Sequence, residues 1–169
     1  GAMTVAGQNY HCHKAGGHGS QNLLQAISNS CNTAFITIGQ FIGVPTFSKY
    51  FKAFGLTEKT GIDLPGEATS TYHKEENMGP VELASSSFGQ TFNITPMQLM
   101  CAVAASVNGG YLVQPHVVEK KLDADGKVVE TASTSYKRQV ISETTSATMR
   151  ELLQFVAENG AKNALVPGY

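Results

Sequence analysis

Apolar residues along this chain fall into short runs at helical spacing, separated by stretches dense in Gly, Asn, Thr and Pro. Ser20 predicts an N-cap for a helix through Ser28, with Leu23, Leu24 and Ile27 on one face. A short loop over 29–32 leads to a second helix from Thr33 to Ile42, closed by Gly43. Pro45 opens a third, where Phe47, Tyr50, Phe51 and Phe54 recur at i, i+3, i+4 and i+7 before Gly55 ends it. Val81 to Phe88 reads as a short helix. Thr95-Pro96, a cap followed by an N1 proline, starts a helix to about Val107. Ser142 starts a last helix, with Met149, Leu152, Leu153 and Val156 as its stripe and Gly160 as its stop. Only Val117–Leu122 and Lys127–Thr131, around Asp123-Ala124-Asp125-Gly126, read as a β-hairpin. Residues up to Gly19, and the Gly/Pro/Thr-rich stretch from Leu56 to Pro80, read as irregular. The pattern is α+β and mostly helical.

At 169 residues the chain can bury one sizeable core. A net charge of −1 with 15% charged residues gives no basic field for nucleic acid. No apolar run reaches the ~20 residues that span a bilayer, and no secretory leader is visible. Gly1-Ala2-Met3 reads as the remnant of a cleaved tag, with residues 4–169 forming the domain. Of the three cysteines, Cys101 sits in an apolar helical run and predicts a buried thiol. A Cys12–Cys31 disulfide stays open.

His11-Cys12-His13, then His18, then Cys31 form a pattern of thiolate and imidazole donors, the ligands that Zn²⁺ prefers. Cys12, His18 and Cys31 supply three ligands. His11, His13, a water or an upstream acid is left as the fourth. Bound zinc would tie the N-terminal stretch to the loop at Cys31.

Four ordered blocks then define a resemblance. They are Ser30-Cys31-Asn32 after a helix; Phe54-Gly55-Leu56 with Thr60-Gly61-Ile62-Asp63-Leu64-Pro65-Gly66-Glu67; Ser87-Phe88-Gly89-Gln90 with Thr95-Pro96-Met97-Gln98-Leu99; and Asn108-Gly109-Gly110. Together they resemble the transpeptidase domain of class B penicillin-binding proteins, of the sporulation-type branch. Such enzymes carry S-x-x-K, Ser-x-Asn and K-T-G. No serine here has a lysine three residues on. Lys59-Thr60-Gly61 spells the third motif but sits in the Thr-Gly-Ile-Asp-Leu-Pro-Gly-Glu block, without the β-branched neighbours of a strand. The family's catalytic K-T-G is expected a few residues beyond Pro167-Gly168-Tyr169. The fold expected is therefore a partial penicillin-binding/β-lactamase-like transpeptidase fold, with a helical subdomain and a β-hairpin.

The resemblance implies a peptidoglycan D,D-transpeptidase working on the outer face of a bacterial membrane, with stem peptides as substrates and β-lactams as inhibitors. Ser30 would pass a proton to the leaving amine, because a hydroxyl both donates and accepts. Asn32 would hold the nucleophile's lysine and the substrate carbonyl. Gly89-Gln90-Thr91 is expected to pack rather than bind. Lacking a nucleophile motif, the chain alone is expected to be inactive. The competing reading is a non-catalytic, zinc-stabilised binding module of a wall-synthesis complex; a zinc domain unrelated to the wall is set aside by the four blocks. Apolar faces such as Phe47/Phe51/Phe54 and Leu152/Leu153/Val156 predict self-association.

Overall fold

The computed structural model describes residues 1–160, in the order β1 (Ala2–Val5), β2 (Gln8–His11), α1 (Leu23–Ser28), α2 (Asn32–Ala53), α3 (Pro80–Ser87), α4 (Pro96–Val107), β3 (Tyr111–Gln114), β4 (Lys120–Leu122), β5 (Val128–Thr131), β6 (Ser135–Gln139) and α5 (Glu143–Asn159). Pro167-Gly168-Tyr169 lie outside the described residues. The chain is α+β, and every sheet among these strands is a two-stranded antiparallel pair: β1–β2, β3–β6 and β4–β5. No helix among the described residues is long and apolar enough to cross a membrane.

The chain divides into two compact units. The first holds Gly1–Lys49, Tyr72–Phe92 and, of the described residues, those from Thr148 to Gly160. Its N-terminus is not irregular, as the polar residues suggest, but a hairpin. Ala6 and Gly7 turn the chain at φ +46° and +83°, the double-positive geometry of a tight hairpin turn. An Ala-Gly pair gives little warning of such a turn. The strands are half polar because only one face is covered: Val5 and Tyr10 pack with Ile36 and Ala84. Tyr10 also donates its hydroxyl to the Val81 carbonyl (2.9 Å) and meets Phe88 edge to face. α1 begins later than Ser20 predicts. Asn22 is its cap, in a reciprocal bond pair with Gln25, and Ser20 lies before it. The second and third predicted helices run on as α2, interrupted at Gly43 (φ +75°, ψ 165°), where the sequence places the break. Thr91 Oγ1 bonds Ser85 Oγ (3.2 Å), and Gln90 donates its N–H to the Ser85 carbonyl (3.0 Å), so the Gly89-Gln90-Thr91 turn is tied to the end of α3.

The second unit holds Tyr50–Thr71 and Asn93–Ala147. Its core is Cys101, Ala105 and Leu112, with Phe54, Met97, Val113 and Val140 packed around them. Cys101 is the buried thiol predicted, and burial raises its pKa. Thr95 and Gln98 form a reciprocal cap on α4, and Gln98 Nε2 reaches the Glu58 carbonyl at 2.7 Å. The Asn108-Gly109-Gly110 block has a packing reason. Ser146, fully buried, accepts from the Gly109 N–H (2.9 Å), and a Cβ on Gly110 would run into the Ile141 carbonyl. The β3–β6 pair is absent from the sequence reading, because Tyr111–Gln114 and Ser135–Gln139 pair across an intervening hairpin. That hairpin, β4–β5, is the one predicted, although pairing begins at Lys120 rather than Val117. Ser142 caps α5 by accepting from the Thr145 N–H.

Candidate functional site

Ser30 and Asn32 sit at the junction between α1 and α2, and the junction has a definite local cause. α1 closes with two bonds: Ser30 N–H to the Ile27 carbonyl (3.0 Å) and Cys31 N–H to the Ala26 carbonyl (3.1 Å). This is the Schellman arrangement, whose C′ residue must be left-handed. Glycine is usual there; this chain uses Ser30, at φ +46°. The side chain so held is exposed, and among the described residues its hydroxyl has no hydrogen-bond partner. Cys31 then opens α2, accepting the first helical bond from Phe35.

Asn32 lies two residues on, half-buried, with Nδ2 donating to the His11 carbonyl at 3.1 Å. The structure thus brings the end of β2 to the Ser-x-Asn segment, a contact with no sequence signal. His11 contributes its main chain and is otherwise exposed.

The thiols and imidazoles converge beside it. Cys12 Sγ is 3.4 Å from His18 Nδ1, 3.7 Å from His13 Nδ1 and 3.8 Å from Cys31 Sγ. Cys12, His13 and His18 place one donor atom each within 4.8 Å of one another. Of the three predicted ligands, Cys12 and His18 belong to this group, whereas Cys31 lies outside it and meets Cys12 at 3.8 Å. Of the open fourth positions His13 is present in the cluster, while His11 is not. The two thiols are buried and not joined as a disulfide. Burial pushes the Cys31 thiol up, but bonds from Thr33, the Ala34 N–H, Gln21 and His18 outweigh it and bring it down to about 6. Cys12, His13 and His18 are the residues whose donor atoms lie close enough together to hold a metal ion.

Lys59-Thr60-Gly61 is elsewhere, in the second unit, and forms no strand. Thr60 is buried, and its hydroxyl and N–H both meet Glu67 Oε1 at 2.6 Å; Gly61 N–H meets the other carboxylate oxygen. Asp63 accepts from the Val117 and Val118 N–H groups. The block therefore uses its two carboxylates to fix a loop.

Comparison with known proteins fits this architecture. The chain superposes on the D,D-transpeptidase domain of a peptidoglycan glycosyltransferase from Eggerthella lenta with a TM-score of 0.87 and 26% identity, covering 99% of this chain and 44% of that one. That likeness defines a partial transpeptidase fold. Residues 3–169 match the penicillin binding protein transpeptidase domain, and the chain belongs to that family. It is 44% identical to stage V sporulation protein D of Bacillus subtilis across the whole chain, which spans 26% of that protein. It is 36% identical to the peptidoglycan D,D-transpeptidase MrdA of Acinetobacter baumannii over 62% of this chain and 17% of that protein.

Proposed function

We propose that this chain is a portion of a sporulation-type peptidoglycan D,D-transpeptidase, anchored on the outer face of a bacterial membrane, and that Ser30 and Asn32 are its Ser-x-Asn motif. The observation that carries the reading is an exposed serine in strained backbone, its hydroxyl without a partner among the described residues, two positions from an amide bonded to the His11 carbonyl. Non-glycine residues in the left-handed region persist where the surroundings over-determine them, and they cluster at functional sites.

In the reaction, the serine of an S-x-x-K segment attacks the peptide carbonyl of a D-alanyl-D-alanine stem. The C–N bond breaks, and the terminal D-alanine leaves as an amine with a proton delivered through Ser30. The acyl group then passes to an amine of a neighbouring stem peptide. β-Lactams acylate the same serine. No serine of this chain has the required lysine, so the chain alone forms no covalent adduct. The test uses a fluorescent penicillin. The 169-residue chain should remain unlabelled, and a longer protein that supplies S-x-x-K should be labelled one to one. A serine-linked adduct on the chain alone would overturn the inactivity. Undiminished labelling of the longer protein after Ser30→Ala and Asn32→Ala would overturn the site.

The proposal extends to zinc as a structural element of this site, on the spacing of the donors around Cys12. A tetrahedral ion with bonds of about 2.3 Å to sulfur and about 2.0 Å to nitrogen sets S···S and S···N edges of about 3.8 and about 3.5 Å. Cys12 lies 3.8 Å from Cys31 and 3.4 and 3.7 Å from the two histidine nitrogens. The ion would hold the Cys31 junction and hence the placing of Ser30 and Asn32. The same ion serves the alternative, non-catalytic module, which penicillin labelling distinguishes. Self-association belongs to the proposal too. The faces predicted, Phe47/Phe51/Phe54 and Leu152/Leu153/Val156, are half-buried. The support comes instead from Phe41, 90% exposed on α2, and Leu99, Met100 and Val103, exposed on α4.

A further inference from the structure

Asn32 can serve a lysine and a substrate carbonyl together only if its amide faces one way. A carbonyl oxygen only accepts, so the atom of Asn32 that meets the His11 oxygen at 3.1 Å is Nδ2. One N–H is then engaged. The second N–H and Oδ1, without partners among the described residues, remain for substrate and ammonium. The peptide that carries the His11 carbonyl is held by the strand pair: its N–H, that of Cys12, donates to the Gly1 carbonyl at 2.8 Å. β2 is held in turn by Tyr10. In β2, side chains alternate, so Tyr10 turns inward where His11 turns out. Tyr10 is anchored twice in the first unit: its hydroxyl on the Val81 carbonyl at 2.9 Å, and its ring edge to face with Phe88, centroids 6.0 Å apart.

We propose that Tyr10 is a positioning residue for transpeptidation: it pins β2 so that the His11 carbonyl locks the Asn32 amide in its working orientation. The inference rests on the Ser-x-Asn reading above. It gives β2 a task in the reaction.

Two measurements test it. In the labelled 169-residue chain, NMR should detect a coupling across the hydrogen bond between Asn32 Nδ2 and the His11 carbonyl carbon. One of the two Asn32 side-chain protons should exchange about tenfold more slowly than in a free amide. Absence of coupling, with both protons exchanging freely, overturns the proposal without recourse to any variant. In the longer protein that supplies S-x-x-K, Tyr10→Phe keeps the ring and removes the hydroxyl. It should lower the penicillin acylation rate constant about tenfold while changing non-covalent affinity less than about twofold. If Asn32→Ala abolishes acylation and Tyr10→Phe leaves it unchanged, the positioning role is overturned and the Ser-x-Asn reading stands. If Asn32→Ala also leaves acylation unchanged, the underlying reading fails and takes this inference with it.

Discussion

Cys31 donates its main-chain N–H to the Ala26 carbonyl at 3.1 Å, and that bond bends the intervening Ser30 into the left-handed region at φ +46°. The same Cys31 then accepts the first bond of α2 from Phe35. One residue thus ends one helix and begins the next. The serine between them carries backbone strain that glycine would not.

Ser30→Gly should therefore stabilise the chain by about 1 kcal/mol, because glycine adopts this conformation without a Cβ clash, and the gain is reduced by its freer unfolded state. Ser30→Ala keeps the strain and should change stability by less than about 0.5 kcal/mol. Urea unfolding of the two variants beside the unmodified chain measures the difference. If glycine is no more stable than alanine, the junction is not strained by Ser30.

A second relationship concerns α2 and α3 in the first unit. Gly39 is buried, and a Cβ there would overlap Ser87 Oγ, which itself donates to the Leu83 carbonyl. Gly39→Ala should cost about 1–3 kcal/mol by overpacking. Adding Ser87→Ala removes the atom it meets, so the double variant should recover part of the loss. A double-mutant cycle reads the coupling. An additive result would mean that the helices are not in contact at this pair.

Most of the helices could be read from the sequence because their signals are local. Gly43 breaks α2 through its own backbone angles, and Thr95 and Ser142 cap α4 and α5 through bonds within three residues. The β1–β2 hairpin and the β3–β6 pair could not be read in this way. Gln8 and Asn9 are exposed, leaving Tyr10 as the buried residue of β2, and β3 finds its partner beyond another hairpin. The candidate site divides along the same line. Ser30, Asn32 and the Cys/His spacing are visible in the chain, whereas the His11 carbonyl on Asn32 depends on where β2 ends.

Metal removal gives a direct prediction. Protein purified without chelator should contain about one zinc per chain, with Cys12 and Cys31 protected from alkylation until chelator is added. Cys12→Ser and His18→Ala should each lose most of the zinc. Cys101, buried in the other unit, should alkylate slowly regardless. Elemental analysis with a thiol count checks this. Metal-free protein with Cys12 and Cys31 freely reactive would remove zinc from the site and leave its histidines as ordinary loop residues.

The carboxylates of the Thr-Gly-Ile-Asp-Leu-Pro-Gly-Glu block predict an acid limit to stability. Asp63 is held below its ordinary pKa by the N–H groups of Val118 and Val117. Glu67 is pushed up by burial, but bonds from the Thr60 hydroxyl and the Thr60 and Gly61 N–H groups outweigh this and lower it. A carboxylate whose folded pKa is depressed binds fewer protons when folded than when unfolded. Its contribution is complete above the unfolded pKa, about 4, and is lost as the pH falls through the lower folded value. These two carboxylates should thus make stability, measured by urea unfolding, fall below about pH 4. Asp63→Asn and Glu67→Gln should lower stability at neutral pH and flatten the acid slope, since neither amide titrates. An acid slope unchanged in both variants would place the lost protonation energy elsewhere and leave the block fixed by its backbone alone.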